Sequence, residues 1–160
     1  MIFITLGSQK FQFNRLLKKV DVLVEKNVIV DDIFAQIGAS DYLPRNFDFV
    51  SFLDGNEFEQ KVEQADVIIT HGGTGNIFAA VKKGKKVIAI PRRAKYQEHV
   101  DDHQIQILEE LDKMGIIEIC KNLEDLEVSY ENVMHKKYKK YRSSNQAMIA
   151  SIEECLRCVF

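Results

Sequence analysis

The sequence predicts an α/β fold: a doubly wound parallel sheet of about six strands, formed by a single domain over residues 1–160. Three observations predict it. Short apolar runs alternate with segments of helical periodicity from end to end. The runs Val67-Ile68-Ile69 and Val87-Ile88-Ala89-Ile90 are apolar throughout, and the strand candidates are joined mainly by helical segments. Strands buried on both faces read as continuous apolar runs, and parallel strands need crossover connections, which are right-handed.

Taken in order, Ile2 to Leu6 is a short apolar strand ending in Gly7-Ser8. It carries neither a basic leader nor a small-residue cleavage site, so it reads as a strand rather than a signal peptide. Phe13, Leu16, Leu17, Val20, Leu23 and Val24 recur at helical spacing. A second strand is expected near Ile33 to Ile37 and a third near Phe47 to Phe52. Phe58, Val62 and Ala65 give a short amphipathic helix. Val67 to Ile69 is the core of a fourth strand, and Val87 to Ile90 is a fifth, stopped by Pro91. Val100, Ile107, Leu108 and Leu111 mark a helix, and Gly115 to Ile119 a sixth strand. The remainder reads as helix, closing with Ile149, Ile152, Leu156 and Val159 on one stripe that packs on the domain or docks on a partner.

Composition narrows the function classes. Hydrophobic residues make up 46% and charged residues 29%, an ordinary soluble mixture. The formal charge of −2 supplies no global field for nucleic acid. No apolar run approaches the roughly 20 residues that cross a bilayer. Cys120, Cys155 and Cys158 are an odd set without an export signal, which suggests reduced thiols in a cytoplasmic setting. Cys155 and Cys158 form a C-x-x-C that closes a helical segment without a matching ligand pair, so they read as small apolar residues.

In doubly wound sheets, ligands sit beyond the carboxyl ends of the strands, where the winding reverses. The loops after the first and fourth strands both contain glycine. Asp66 to Ile77 reads as a buried strand running through His71-Gly72-Gly73-Thr74-Gly75-Asn76 into a helix. The glycines let the main chain approach a ligand without Cβ atoms in the way. A helix start adds unpaired N–H groups and a partial positive charge, so the turn suits a phosphate or diphosphate. Thr74 and Asn76 add a hydroxyl and an amide at its rim, and either could cap the helix. A tight turn whose glycines only permit close packing is the plain alternative. The dinucleotide fingerprint belongs after the first strand, where this chain has Gly7-Ser8-Gln9-Lys10 instead, and no G-K-S/T closes a P-loop.

His99 and His103 stand four apart and could share one helix face, but Val100 stands where a zinc-protease motif has glutamate, and no metal is expected. His71 ends the fourth strand, where it either bonds to main chain or touches a ligand. His135 to Arg142 holds five Lys or Arg residues. That stretch reads as a solvated helix face or as a patch drawn to an anionic leaflet.

The H-G-G-T-G-N turn, the helix ending in Lys83-Gly84-Lys85-Lys86, the strand to Pro91 and the later Glu98-His99-Val100-Asp101-Asp102-His103-Gln104 resemble the C-terminal, donor-binding domain of glycosyltransferase family 28. The likeness runs from Thr5-Leu6-Gly7-Ser8 to the helix after Gln104, with separated motifs in the family's order. Within that family the chain is similar to the small subunits of bacterial capsule and exopolysaccharide transferases, some called galactosyltransferase enhancers. The resemblance implies a Rossmann-like half of a GT-B glycosyltransferase that takes a UDP-sugar as substrate, with no cofactor and no metal. It implies that Gly72, Gly73, Thr74, Gly75 and Asn76 hold the diphosphate, faced by Gly7 and Ser8. Gln9, Phe52, Leu53, Glu98, Asp102 and Gln104 would contact the sugar or nucleoside, and His71 and His103 would act at the reacting centre. It further implies a membrane-associated partner chain that binds a lipid-linked saccharide acceptor, no nucleic acid, and a cytoplasmic place at the inner face of the membrane. One position departs from the family. The glutamate that pairs with ribose in relatives falls, counting back from Gly84, on Ala79. A lost bidentate acceptor costs roughly 1–3 kcal/mol of nucleotide affinity. A non-catalytic enhancer that stabilises or activates a partner transferase is therefore the second functional reading.

Overall fold

Apolar runs bounded by turn residues become the strands, and the amphipathic runs become the crossovers between them. The computed structural model describes residues 1–141. Its strands are β1 (Ile2–Thr5), β2 (Ile33–Gln36), β3 (Asp48–Val50), β4 (Val67–His71), β5 (Lys86–Ile90) and β6 (Glu118–Ile119). Its helices are α1 (Asn14–Glu25), α2 (Gly55–Gln64), α3 (Thr74–Lys82), α4 (Gln104–Lys113) and α5 (Leu126–His135). The strands form one sheet in the order β3-β2-β1-β4-β5-β6, and every pairing is parallel. The chain winds outward from β1 to β3, then restarts at β4 on the other side of β1. The reversal therefore lies between β1 and β4.

Successive strand residues point to opposite faces, so each strand feeds two apolar layers. Ile4, Ile69 and Ile88 pack with Leu16, Leu17 and Val20 of α1 and Leu126 and Val133 of α5. Phe3, Ile68 and Val87 pack with Val62 of α2, Ile77 and Ala80 of α3, and Leu108 and Leu111 of α4. Helices on both faces are what the doubly wound reading requires.

Three segments differ from expectation. The helix expected from Val100 begins at Gln104, and Val100 is 75% exposed. Asp101 Oδ1 accepts from the His103 N–H at 3.0 Å, and Asp102 Oδ1 from the Ala94 N–H at 2.8 Å. Such side-chain bonds compete with helical ones. The sixth strand is only Glu118–Ile119, because Gly115, at φ 72°, closes α4 first. Its N–H bonds to Asp112 O, and that of Ile116 to Leu111 O, in the 5→2 and 6→1 pattern of a Schellman cap. The basic stretch is not a helix face: α5 ends at His135. Tyr138 turns inward there, its hydroxyl donating to Glu118 Oε2 at 2.7 Å.

Cys120 is buried, which pushes its thiol up to about 11 and leaves it unreactive. The Cys155/Cys158 pair, Arg142 and the stripe from Ile149 to Val159 lie outside the described residues. Among the described residues, no helix is long and apolar enough to cross a membrane.

Candidate functional site

β1 and β4 are neighbours at the reversal, with Thr5 opposite Thr70. The segments leaving their carboxyl ends meet there: a Cβ on Gly7 would stand 2.7 Å from His71 Cε1. Thr70 Oγ1 donates to Thr5 O at 2.9 Å, and Asn76 Nδ2 to Thr5 Oγ1 at 3.3 Å, so hydroxyls stitch the two exits together.

Gly73 is the N-cap of α3, and no side chain caps the helix. Thr74 and Asn76 thus do not take the capping role considered for them, and Asn76 reaches toward β1 instead. The main-chain N–H groups of Gly73, Thr74, Gly75 and Asn76 make no hydrogen bond among the described residues. The first paired donor is Ile77, to Gly73 O at 3.3 Å. These are the orphan donors of a helix start, backed by its dipole. Gly75 is exposed, and Thr74 and Asn76 are half-buried, so the donors lie at the surface. Gly72 corrects the expectation, because its N–H is already spent on Gln104 Oε1 at 3.1 Å.

His71 is 6% exposed, and its ring fills the space between Gly7 and Gly73. Burial first, then the Arg92 guanidinium, holds its pKa down to about 4, with the Thr5 carbonyl opposing. The imidazole is therefore neutral at neutral pH. It can exchange hydrogen bonds, but it offers no positive charge to an anion.

Glu98 also departs from expectation. It is 1% exposed, and both carboxylate oxygens are engaged: Oε1 by Arg15 Nε at 2.5 Å, and Oε2 by Arg15 Nη2 at 2.9 Å and the Arg93 N–H at 3.0 Å. It anchors the segment after β5 to α1 rather than meeting a ligand. Gln104 is buried, and its Oε1 serves both the Gly72 and Arg92 N–H groups, which leaves only its Nε2 as a donor. Asp102 is largely exposed and holds the Ala94 N–H. His103, the N-cap residue of α4, is half-buried and makes no side-chain cap bond. It does not share a helix with His99, which lies in the preceding loop against Asp101.

Ser8 and Gln9 are exposed beside the turn, and Phe52 is 54% exposed after β3. Leu53 is half-buried in the same apolar layer as Ile77 of α3. Ala79 is half-buried on α3.

Two organising residues escaped the sequence reading. Gln36 is 5% exposed; its Nε2 donates to Gly7 O and its Oε1 accepts from the Leu53 N–H, both at 3.3 Å. It ties the exits of β1 and β3 together, and its signal was a lone amide inside the apolar run Ile33 to Ile37. Arg92 is 1% exposed, with Nη2 donating to Leu6 O at 2.8 Å and Phe11 O at 3.2 Å. Its signal was a charge directly after the buried strand and Pro91.

Cavity shape does not single out the turn. A cavity of about 710 Å³ lies at the amino ends of β1 and β2, and one of about 450 Å³ between α1 and Tyr96. A cradle of main-chain amides at a helix start is a surface feature, so chemistry rather than depth marks it.

The family model described as the glycosyltransferase family 28 C-terminal domain matches residues 1–156. The mouse protein "UDP-N-acetylglucosamine transferase subunit ALG13" is 24% identical over 125 residues, which cover 74% of this chain and 10% of that protein. The chain thus spans about a tenth of the length of that relative. Among solved structures, the glycotransferase of kitacinnamycin aligns with a TM-score of 0.62 at 20% identity, covering 98% of this chain and 38% of that one. MurG of Acinetobacter baumannii aligns with a TM-score of 0.59 at 19% identity, covering 84% and 41%. At these identities the structural likeness establishes the fold.

Proposed function

The chain belongs to the glycosyltransferase family 28 C-terminal domain family, and on that premise we propose that it binds the UDP-sugar donor of a two-component hexosyltransferase in cell-surface polysaccharide synthesis. The observation that carries the proposal is the set of unpaired N–H groups from Gly73 to Asn76, opening α3 at the winding reversal. Donors fixed before reaction, aimed where charge develops, stabilise a transition state more than ground-state contacts do.

In the transfer, an acceptor hydroxyl oxygen forms a bond to the anomeric carbon. The bond from that carbon to the β-phosphate oxygen breaks, and its electron pair leaves on UDP. The hydroxyl proton passes to a base supplied by the partner chain. The amides of Gly73 to Asn76 take up the charge growing on the diphosphate, with Gly7 and Ser8 facing it, so the reaction runs without a metal or other cofactor. Phe52 and Leu53 wall the uracil, Gln9 lies at the mouth, and Asp102, His103 and the Gln104 Nε2 meet the sugar. His71 contributes as a neutral hydrogen-bonding group at the floor.

The partner is a membrane-associated chain that carries a lipid-linked saccharide acceptor. That the mouse relative is a transferase subunit supports a shared task. Placement at the inner face of the membrane is supported by Lys85, Lys86, Lys136, Lys137, Lys139 and Lys140, which line one cavity of about 460 Å³. Basic clusters of this kind are attracted to anionic leaflets.

Calorimetric titration with UDP tests the reading, and micromolar binding is expected. A second reading, a non-catalytic enhancer of a partner transferase, is favoured by one feature. Ala79 offers α3 no carboxylate for the ribose hydroxyls. Absence of UDP binding up to millimolar concentration would select it.

A further inference from the structure

Among the described residues, Arg92 is the largest of the completely buried side chains. It follows β5, and its guanidinium reaches past the exit of β4 to the carbonyls of Leu6 and Phe11, which bracket the segment after β1. Both of those bonds come from Nη2. Nε and Nη1 are buried and have no hydrogen-bond partner among the described residues. No carboxylate there forms an ion pair with it either, since Glu98, the acid that bears on it, is engaged by Arg15. Burial lowers the Arg92 pKa only to about 10, so the charge persists at neutral pH. Buried charges are ordinarily paired. This one has no ion pair of its own among the described residues, only the more distant Glu98 charge and the Phe13 ring 5.6 Å away, and it stands at the three strand exits where the candidate anion site lies.

Two contacts couple it to the glycine turn. Gln104 Oε1 accepts from the Arg92 N–H at 3.0 Å and from the Gly72 N–H at 3.1 Å, so the two main chains share one acceptor. The guanidinium also acts on His71, whose ring lies against Gly73.

We propose that Arg92 is the buried counter-charge of the diphosphate site, a positioning residue that clamps the segment after β1 against the glycine turn and holds a permanent positive charge behind it. The inference rests on the donor-binding reading and adds a named side chain to the main-chain amides. Screening is weak in a buried setting, so a full charge acts on a bound dianion without touching it. The fork to two carbonyls fixes where that charge stands.

The test is an NMR titration of the wild type, Arg92→Met and Arg92→Lys with UDP and, separately, with uridine. Folding is checked by circular dichroism. A general scaffold role would weaken both ligands alike, whereas the clamp on the glycine turn and the counter-charge both act on the phosphates. In Arg92→Met the ratio of UDP to uridine affinity is expected to fall by about tenfold or more, and a smaller fall overturns the proposal. Should Arg92→Met not fold, Arg92→Lys decides. It keeps the charge, so the ratio is expected to stay within about fivefold of wild type, and a larger fall overturns the proposal. A wild type that binds neither ligand removes the donor-binding reading and this inference with it. A wild type that binds UDP beside a variant with an unchanged ratio removes only the role of Arg92.

Discussion

Gly72, Gly73 and Gly75 stand within four positions of one another and are glycine for different reasons. A Cβ on Gly72 would lie 2.7 Å from Gln104 Cβ, and one on Gly73 would lie 2.4 Å from His71 Nε2. A Cβ on Gly75 would meet nothing within 4 Å, so packing does not require glycine there. Alanine is better than glycine inside a helix by about 0.5–1 kcal/mol. Gly75 stands in the first turn of α3, so Gly75→Ala is expected to raise unfolding free energy by at most that amount in urea titration, while weakening UDP binding by narrowing the space beside the free amides. Gain of stability with unchanged affinity would contradict the cradle. His71 carries a pH signature. Its folded pKa of about 4 lies below the ordinary 6.5, so between those values the unfolded chain binds the extra proton. Stability present above pH 6.5 is lost as pH falls toward 4, by about 3 kcal/mol in all. His71→Asn should flatten that slope in denaturation measured across the window, and an unchanged slope would assign it to other groups. The motif located the turn in the sequence. It did not separate the packing glycines from the open one, because Gln104 and the orientation of His71 are set by the fold.

α4 matters through its first residue. Gln104→Ala leaves the buried N–H groups of Gly72 and Arg92 without their shared acceptor. An unpaired buried donor costs about 1–3 kcal/mol, so the unfolding free energy should drop by at least that, lowering the denaturation midpoint, and UDP affinity should fall as the turn loosens. A midpoint unchanged within error would mean that both groups find other acceptors. The start of this helix was not legible from periodicity. Val100 keeps the apolar spacing, yet Asp101 and Asp102 divert the main chain into side-chain bonds that no period reports. β6 was overread for a similar reason: Ile116 and Ile117 are buried, but in the turn that Gly115 makes rather than in a strand. The helices with strong amphipathic stripes were legible, as Leu16, Leu17, Val20 and Leu23 of α1 demonstrate.

At the scale of the molecule, the doubly wound sheet follows from its apolar runs, and the reversal between β1 and β4 puts both glycine-bearing exits side by side. What the sequence conceals is the polar stitching beneath them. Gln36 joins the exits of β1 and β3, and Arg92 joins those of β5 and β1, across separations of 17 to 86 residues. The family resemblance implied a ligand role for Glu98, but its partner Arg15 is 83 positions away. The central claim is that the free amides at the start of α3 bind a diphosphate. Its most direct measurement is an amide-resolved NMR titration of the chain with UDP. The account predicts that the largest and saturable shifts fall on Gly73, Thr74, Gly75 and Asn76. Shifts confined to the lysine-lined face at Lys85, Lys136 and Lys140, with those four amides unmoved, would contradict it.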